Sequence, residues 1–568
     1  MSEVDQSRCT AHQLYSPLPA GIWTRILVLE PGDVGGPISC SLHAARFDSE
    51  CEIPLYDAIS YVWGSTGDTR SIYCQGHPVN ITVNLFQALR QMRHPRESRR
   101  IWADALCINQ LDLLEKSVQV NMMGDIYAHA RQVVVCLGDD GQNGEAADIA
   151  FSAIRDFNRV AAKYLSEDTL RSGKWWKPDD GYGPVTAARL QNVAPIFSHP
   201  WFERVWVLQE VGLAKKAVLA YGFSTIDFAE AMDFVQARAR TASSLPGPSF
   251  RPGLISSLFT YILSSYVKDV ENSWFRSSRV LKVLAQQSLK TGRIDFEDVL
   301  FGARQTQKGT DDRDFVYAFL GHPFARSEDG ELLVRADYTG SMSELRLSLF
   351  SRLSTRSLRF LGLLWHCTPE ELTSGPSWCP QLDAHRAANI NGRYEAFRGE
   401  DLTSGGEFSP RVDGSSLKVC VYLVDTTDFL EQVVLEEPRD SEKATIDDRK
   451  TSYLAMESIS PERPSIVETY WSLLEESENC HGLAYEDKGF AFASTLLGAL
   501  EGEDAPSIAR SFAQFCREHC PSIHSYLEEC RWLQGWSSRE PTRKISFQQR
   551  AANVMRGQRF FTSAKGYW

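Results

Sequence analysis

The sequence lacks the features that would place a chain in or across a membrane. Its apolar runs extend over only a few residues, whereas a membrane-spanning helix needs about 20. The N-terminus has no basic segment followed by an apolar segment, so the sequence predicts no secretory signal. We therefore expect a cytoplasmic protein without a membrane partner.

An excess of positive charge is also absent. The 568 residues include 60 Lys and Arg against 73 Asp and Glu, which gives a formal net charge of −13. Proteins that bind nucleic acid need a basic surface to neutralise the phosphates. We therefore expect no nucleic-acid partner.

Common cofactor and metal motifs are missing as well. Neither a dinucleotide-binding G-x-G-x-x-G nor a P-loop stands in a suitable context, and the G-x-S-x-G nucleophile elbow is absent. The 13 cysteines are scattered, which favours reduced thiols over a disulfide framework. Cys516, His519 and Cys520 have helical spacing but no second Cys or His pair. The sequence thus predicts no bound cofactor and no metal site.

Short apolar segments alternate with helical patterns over the first 223 residues. Buried strands are predicted at 56–62, 100–107, 132–137 and 217–222, a hairpin turn at Gln75-Gly76, and helices at 84–92, 112–130, 145–165 and 199–212. Strands that alternate with helices are typical of an α/β fold with a parallel sheet. We therefore expect 56–62, 101–105 and 132–137 to be neighbouring strands, flanked by the helices 112–130 and 199–212.

The length favours several domains, because domains average about 150 residues. The predicted organisation is a tail at 1–14, an α/β domain at 15–223, a mainly helical region at 224–375 and a mixed α+β region at 376–568. Lys, Asp, Gly and Pro dominate 166–186. We expect that segment to be exposed and mobile.

Five sequence blocks resemble the fungal heterokaryon-incompatibility (HET) domain in identity, order and spacing. These blocks are YDAISYVWG (56–64), ITVNLFQALRQM (81–92), IWADALCINQ (101–110), MMGDIYAHARQVVVCLG (122–138) and HPWFERVWVLQEV (199–211). Weaker resemblance extends to 309–322, 336–345 and 376–383. The resemblance to the HET domain implies a role in fungal non-self recognition, in which HET-domain proteins trigger growth arrest and cell death when incompatible hyphae fuse.

The HET domain is itself similar to the Toll/interleukin-receptor (TIR) domain. YDAISY resembles the first TIR strand, and RQVVVCLG resembles its third strand. The spacing of Trp206 and Glu210 resembles the W-x-x-x-E of TIR enzymes that cleave NAD. The resemblance therefore implies a TIR-like core and makes NAD a possible substrate.

Glu210 is the first candidate for a catalytic residue. It lies four residues after Trp206 in an apolar segment, so both side chains share one helix face and the carboxylate is enclosed. An enclosed carboxylate needs a partner, a raised pKa or a function. In NAD cleavage it would stabilise an oxocarbenium-like state at the ribose. The alternative is a structural ion pair or backbone cap.

Asp104 is the second candidate, because it stands where a buried strand should end. Open α/β sheets bind their ligands at this rim, although a loop carboxylate before a helix is often only a cap. Further ligand-binding candidates, some with an equally plausible packing role, are Tyr61, Trp63, Gly64, Asn109, Gln110, Trp206 and Gln209.

Three classes of function remain open from the sequence. The first is a cell-death signalling module that acts through a protein partner or self-assembly. The second is an NAD-cleaving enzyme that uses Glu210 and binds a nucleotide. The third is a pathway enzyme or accessory protein of fungal secondary metabolism. A solvent-facing pocket around Glu210, Asp104 and Tyr61 would favour an enzyme, whereas a closed pocket and an exposed apolar patch would favour assembly.

Overall fold

A mixed sheet of nine strands forms the centre of the chain in the computed structural model. The strands are β1 (Trp23–Leu29), β2 (Ser39–Arg46), β3 (Asp57–Tyr61), β4 (Thr69–Cys74), β5 (His77–Thr82), β6 (Arg99–Trp102), β7 (Gln132–Cys136), β8 (Ala217–Tyr221) and β9 (Ser224–Asp227). Their order across the sheet is β5-β4-β2-β1-β6-β3-β7-β8-β9. The structure describes residues 14–48, 52–142, 144–166, 186–239, 260–266, 270–283, 286, 296–327, 329–356, 360, 376, 378–380, 411–418, 427–432, 512, 516–517 and 559–563.

Four neighbouring strands, β6, β3, β7 and β8, run parallel. In β3, Asp57 is in register with Ile101 of β6 on one side and with Gln132 of β7 on the other. Val133 to Cys136 of β7 are all buried, as is usual for a parallel strand covered on both faces. The predicted neighbours 56–62, 101–105 and 132–137 are thus confirmed, and the fold class is α/β as predicted.

The remaining strands make the sheet mixed, whereas the sequence predicted a parallel one. β1 is antiparallel to both β2 and β6, and β9 is antiparallel to β8. The β4–β5 hairpin is confirmed at its predicted turn, where Gln75 and Gly76 both have positive φ values, 53° and 82°. Two residues with positive φ match the right-handed twist of the paired strands.

Helices flank the sheet and continue beyond it. They are α1 (Val83–Met92), α2 (Asp104–Cys107), α3 (Leu113–His129), α4 (Glu145–Ala161), α5 (Ala187–Gln191), α6 (Ala194–Phe197), α7 (Val207–Gly212), α8 (Phe228–Ala239), α9 (Thr260–Tyr266), α10 (Phe296–Thr306), α11 (Asp314–Tyr317) and α12 (Met342–Leu353). α3 begins at the cap Asp112, whose carboxylate accepts from the backbone N–H groups of Leu114 and Glu115. α1 begins one residue before the predicted start at 84 and is capped by Thr82, while the Asn84 side chain donates to the Val62 carbonyl at 2.9 Å.

Two predicted elements were wrong in their extent. The strand predicted over 100–107 ends at Trp102, and Asp104 begins the short helix α2. The helix predicted over 199–212 is broken into a 3-10 turn, Pro200–Glu203, and α7. The break occurs at Arg204 and Val205, where the Val205 N–H donates to the Lys308 carbonyl at 3.0 Å. This strand-like contact with a distant segment replaces the local helical hydrogen bond.

The segment after the predicted HET domain packs directly on α3. The amide of Asn121 pairs with the backbone of Ala336, accepting from its N–H at 2.8 Å and donating to its carbonyl at 3.2 Å. Gly124 approaches Gly321 so closely that a Cβ on Gly124 would lie 2.7 Å from the Gly321 Cα. The two glycines therefore allow backbone-to-backbone packing that a larger residue would prevent.

The chain separates into two compact units. The first comprises residues 1–352 and 370–385, and the second comprises 353–369 and 386–568. Within the second unit, β10 (Arg411–Asp413) pairs with β11 (Ser416–Lys418), and β12 (Thr427–Gln432) pairs with β13 (Arg559–Ser563). Among the described residues, no helix is both long and apolar enough to cross a membrane. The predicted mobile segment at 166–186 lies outside the described residues, apart from its two ends.

Candidate functional site

A buried chain of hydrogen bonds joins the end of β3 to α7. The Ser60 hydroxyl donates to the Glu210 carboxylate and accepts from the Trp201 indole N–H at 2.7 Å. All three side chains are buried, and Glu210 has only 1% of its surface exposed. The carboxylate predicted to be enclosed is therefore enclosed and already has a donor. A ligand could reach it only if the surrounding residues moved.

Arg204 supplies the positive charge of the site. The break in the backbone before α7 gives Arg204 an extended conformation, with φ −79° and ψ 135°, so its guanidinium reaches the end of β3 and donates to the Tyr61 carbonyl. There it lies beside both Glu210 and Asp104 and stabilises the ionised form of each. The carboxylates of Glu210 and Asp104 thus share the Arg204 cation. This is possible because Arg204 lies in an extended turn and not in the helix predicted over 199–212.

Burial controls the protonation of Glu210. It raises the pKa of this carboxyl from 4.5 to about 7, although the Arg204 charge and the Ser60 hydrogen bond lower it. The nearby charge of Asp104 raises it further. A buried carboxylic acid with a pKa near neutrality changes its charge within the physiological pH range.

Asp104 lies at the rim of the sheet, two residues past the end of β6. Its carboxylate accepts from the Trp63 indole N–H at 2.8 Å and from the Ala105 N–H at 2.8 Å. Burial raises the pKa of Asp104, and the Arg204 charge and the Trp63 hydrogen bond oppose that rise. The buried Tyr61 hydroxyl faces Asp104 without a hydrogen bond of ordinary geometry.

The other rim candidates hold the local backbone. Gly64 has a φ of 79°, and a Cβ there would lie 2.8 Å from the Asn84 amide nitrogen. The Gln110 amide donates to the Asp104 carbonyl at 3.1 Å, and the Asn109 N–H donates to the Glu115 carboxylate at 2.8 Å. Gly64, Asn109 and Gln110 therefore shape the backbone of the loops beside Asp104.

Trp206 and Gln209 point toward the helical region and away from Glu210. The side-chain amide oxygen of Gln209 accepts from the Gly321 N–H at 2.6 Å, and the Trp206 side chain lies within hydrogen-bonding reach of Asp314. The structure therefore brings together Glu210, Asp104, Tyr61 and Trp63, and it separates Trp206 and Gln209 from them.

Ser60, Trp201 and Arg204 form this site together with the predicted residues, but the sequence did not predict the roles of these three. The signal for Ser60 is its position inside the apolar run YDAISYVW, because a hydroxyl in a buried strand needs a hydrogen-bond partner. No local pattern shows that Arg204 reaches Tyr61, more than 140 residues away.

An open cavity of about 400 Å³ lies elsewhere, between α4 and α8. Glu210, Asp104 and Tyr61 do not line it. Within the part of the chain that the structure describes, no group of three or more His, Cys, Asp or Glu residues is placed to hold a metal ion.

An exposed apolar patch lies at the start of α3, formed by Leu111, Leu114 and Val118 with Leu113 beside them. Leu111, Leu114 and Val118 are 59%, 70% and 52% exposed. The spacing of Leu114, Val118, Met122 and Ile126 places the four residues along one stripe of α3, but Leu114 and Val118 are exposed. Met122 and Ile126 are buried, so the stripe enters the core only in the second half of the helix.

Comparisons with known proteins agree with the sequence motifs. Residues 56–210 match the family model described as Heterokaryon incompatibility protein (HET). Heterokaryon incompatibility protein 6, OR allele, of Neurospora crassa is 31% identical over 231 aligned positions, and the match covers 36% of this chain and 33% of that protein. The chain thus matches about a third of that relative's length. No solved structure matches the chain significantly. Residues 56–210 of this chain are therefore a HET domain, the one that the five sequence blocks predicted.

Proposed function

We propose that this chain acts in the cytoplasm of a fungus as an incompatibility protein, which signals cell death through contact with a protein partner or with further copies of itself. The HET domain and the relative named for heterokaryon incompatibility support the role. The observation that carries the assembly mechanism is the exposed apolar patch of α3, combined with the closed environment of Glu210.

The patch favours assembly because exposed leucines gain from association. Burying one exposed Leu or Val side chain contributes about 1.5–3 kcal/mol, and contiguous apolar surface is typical of protein interaction sites. Leu114 and Val118 are one helical turn apart, so both present their side chains on the same side of α3. Met122 and Ile126 continue the same stripe and are buried, so only the first half of the stripe is exposed.

Association can be measured directly on the full chain. Light scattering coupled to size exclusion gives the mass over a range of concentrations for the wild type and for Leu114→Asp. The matched control is Leu55→Asp, because Leu55 is 73% exposed and lies outside α3. Loss of a larger species in Leu114→Asp alone supports self-assembly. If the wild type remains a monomer, the partner is a different protein. A pull-down with the wild type as bait and Leu114→Asp as the negative control then tests for that partner.

The second candidate function is cleavage of NAD at the nicotinamide–ribose bond. One observation favours it: two carboxylates, Glu210 and Asp104, share Arg204 beside the Tyr61 hydroxyl and the Trp63 ring. A carboxylate at such a site stabilises the oxocarbenium-like state of a glycosidic cleavage, and an aromatic ring can stack on nicotinamide. This function requires the site to open, because Glu210 is buried.

The two candidates predict different results when the pure chain is incubated with NAD and the products are separated by chromatography. If the chain cleaves NAD, nicotinamide accumulates, and Glu210→Gln lowers the rate about 10²–10³-fold. Glu203→Gln is the matched control, because Glu203 is an exposed carboxylate of the same segment that pairs with Lys308. Assembly alone predicts no nicotinamide from the wild type.

A further inference from the structure

Two cysteines face each other where the β4–β5 hairpin joins the sheet. Cys40 of β2 is the register partner of Cys74 of β4, and both are buried. Only one other pair, Ser39 with Tyr73, is in register between these two strands. The hairpin is thus attached to the rest of the sheet along a short edge that includes the two thiols.

The backbone geometry suits a disulfide at this position. Neighbouring strands lie about 4.8 Å apart, and disulfides form between residues whose Cα atoms are about 4.4–6.8 Å apart. Register partners also point their side chains to the same face of a sheet. The backbone around the pair is held by two hydrogen bonds of 2.9 Å, from the Tyr73 N–H to the Ile38 carbonyl and from the Gln75 N–H to the Cys40 carbonyl.

The two thiols also influence each other directly. Hydrogen bonding from Cys40 lowers the pKa of Cys74, although burial opposes this. The same interaction and burial raise the pKa of Cys40. Cys74 therefore loses its proton first, and the thiolate is the form of cysteine that reacts with oxidants. Cys107, a third buried thiol in the same part of the core, differs because burial raises its pKa to about 12.

We propose that Cys40 and Cys74 are an oxidisable pair that closes a disulfide when hydrogen peroxide is the oxidant. The Cys74 thiolate attacks one peroxide oxygen, the O–O bond breaks, and the products are Cys74 sulfenic acid and hydroxide. The Cys40 sulfur then attacks the sulfenic sulfur, the S–O bond breaks, and hydroxide leaves. The two protons of the original thiols convert both hydroxides to water, so two thiols and one peroxide give one disulfide and two waters.

Peroxide gains access through local opening of the short edge. Segments held by few hydrogen bonds open at a lower free energy than the core of a sheet, and only two residue pairs are in register between β2 and β4. The disulfide then encloses the chain from residue 40 to residue 74, which includes all of β3 with Ser60 and Tyr61, and also Trp63 after the strand. Oxidation would thus fix the hairpin and constrain the strand that bears half of the candidate site.

Peptide mapping of the oxidised full chain tests this directly. The reduced protein is treated with hydrogen peroxide, free thiols are alkylated, and the protein is digested without reductant for mass spectrometry. We expect a peptide pair linked through Cys40 and Cys74 that dithiothreitol separates. We also expect peroxide to raise the thermal midpoint of the wild type by about 5–10 °C.

Variants in which one cysteine is replaced by serine provide the controls. Cys74→Ser and Cys40→Ser should lose both the linked peptide and the rise in midpoint. Cys136→Ser should keep both, because Cys136 is a buried thiol on β7, away from the hairpin. Should a variant at Cys40 or Cys74 fail to fold, the wild-type peptide map decides by itself. Recovery of Cys40 and Cys74 as alkylated thiols, or a linkage that uses Cys107, would overturn the proposal.

Discussion

The hydroxyl of Ser60 donates a hydrogen bond to the carboxylate of Glu210, although 150 residues of chain separate the two. The bond joins the end of β3 to the first turn of α7. Because the same hydroxyl accepts from the Trp201 indole, one small side chain connects a strand, a 3-10 turn and a helix. The conformation around the candidate site therefore depends on Ser60.

Replacing Ser60 with Ala should destabilise the fold. The change leaves the Trp201 N–H and one Glu210 oxygen without their partner inside the core, and each such buried group costs about 1–3 kcal/mol. The free energy of unfolding is measured by urea denaturation at pH 7. Ser71→Ala is the control, since Ser71 is exposed on β4. Equal loss of stability in both variants would show that the Ser60 bridge is unimportant.

The stability of the wild type should fall as the pH rises from about 4.5 to about 7. In this window the folded protein holds a proton on Glu210 that the unfolded chain has lost, because the pKa is raised from 4.5 to about 7 in the fold. The contribution is constant below and above the window. The separation of the two pKa values corresponds to a loss on the order of 3 kcal/mol.

Glu210→Gln isolates this contribution, because glutamine does not titrate. Urea denaturation of both proteins between pH 4.5 and pH 8 should give a flatter pH profile for the variant. The pKa of Asp104 is also raised by burial, so part of the pH dependence should remain in the variant. If the stability of both proteins changes with pH at the same slope, the pKa of Glu210 is the same in the folded and the unfolded chain, which would contradict the prediction.

Gly124→Ala should weaken the packing of the HET domain on the segment that follows it. The added methyl would lie 2.7 Å from the Gly321 Cα, so one backbone must shift, and overpacking of this kind costs about 1–3 kcal/mol. A lower thermal midpoint is the expected result. Asp125→Ala serves as the control, because Asp125 is the next residue of α3 and is exposed. An unchanged midpoint in Gly124→Ala would contradict this close approach.

The sequence predicted the central strands well, because β3 and β7 lie in short, mostly apolar and β-branched segments and are buried along nearly their whole length. It predicted the ends of elements less well. The helix over 199–212 was expected from its apolar pattern, but the backbone of Val205 pairs with Lys308. A hydrogen bond to a segment about 100 residues away has no signature in the local sequence.

The candidate site shows the same division. Glu210 and Asp104 were identified because carboxylates in or after apolar segments are conspicuous. Their partners were not identified, because Ser60 and Trp201 are distant in the sequence and meet only in the folded chain. The exposed end of α3 was missed for a related reason. Helical spacing shows that Leu114 and Val118 share a face with Met122 but does not show where the core ends.

The most direct test of the account is growth of a fungal strain that expresses the full chain from an inducible promoter. We expect the wild type and Leu55→Asp to arrest growth, and Leu114→Asp to lose this effect at an equal protein level. Leu114 is 70% exposed, so the substitution leaves the fold intact and places a charge in the apolar patch. Growth arrest by Leu114→Asp as strong as that of the wild type would contradict assembly through α3.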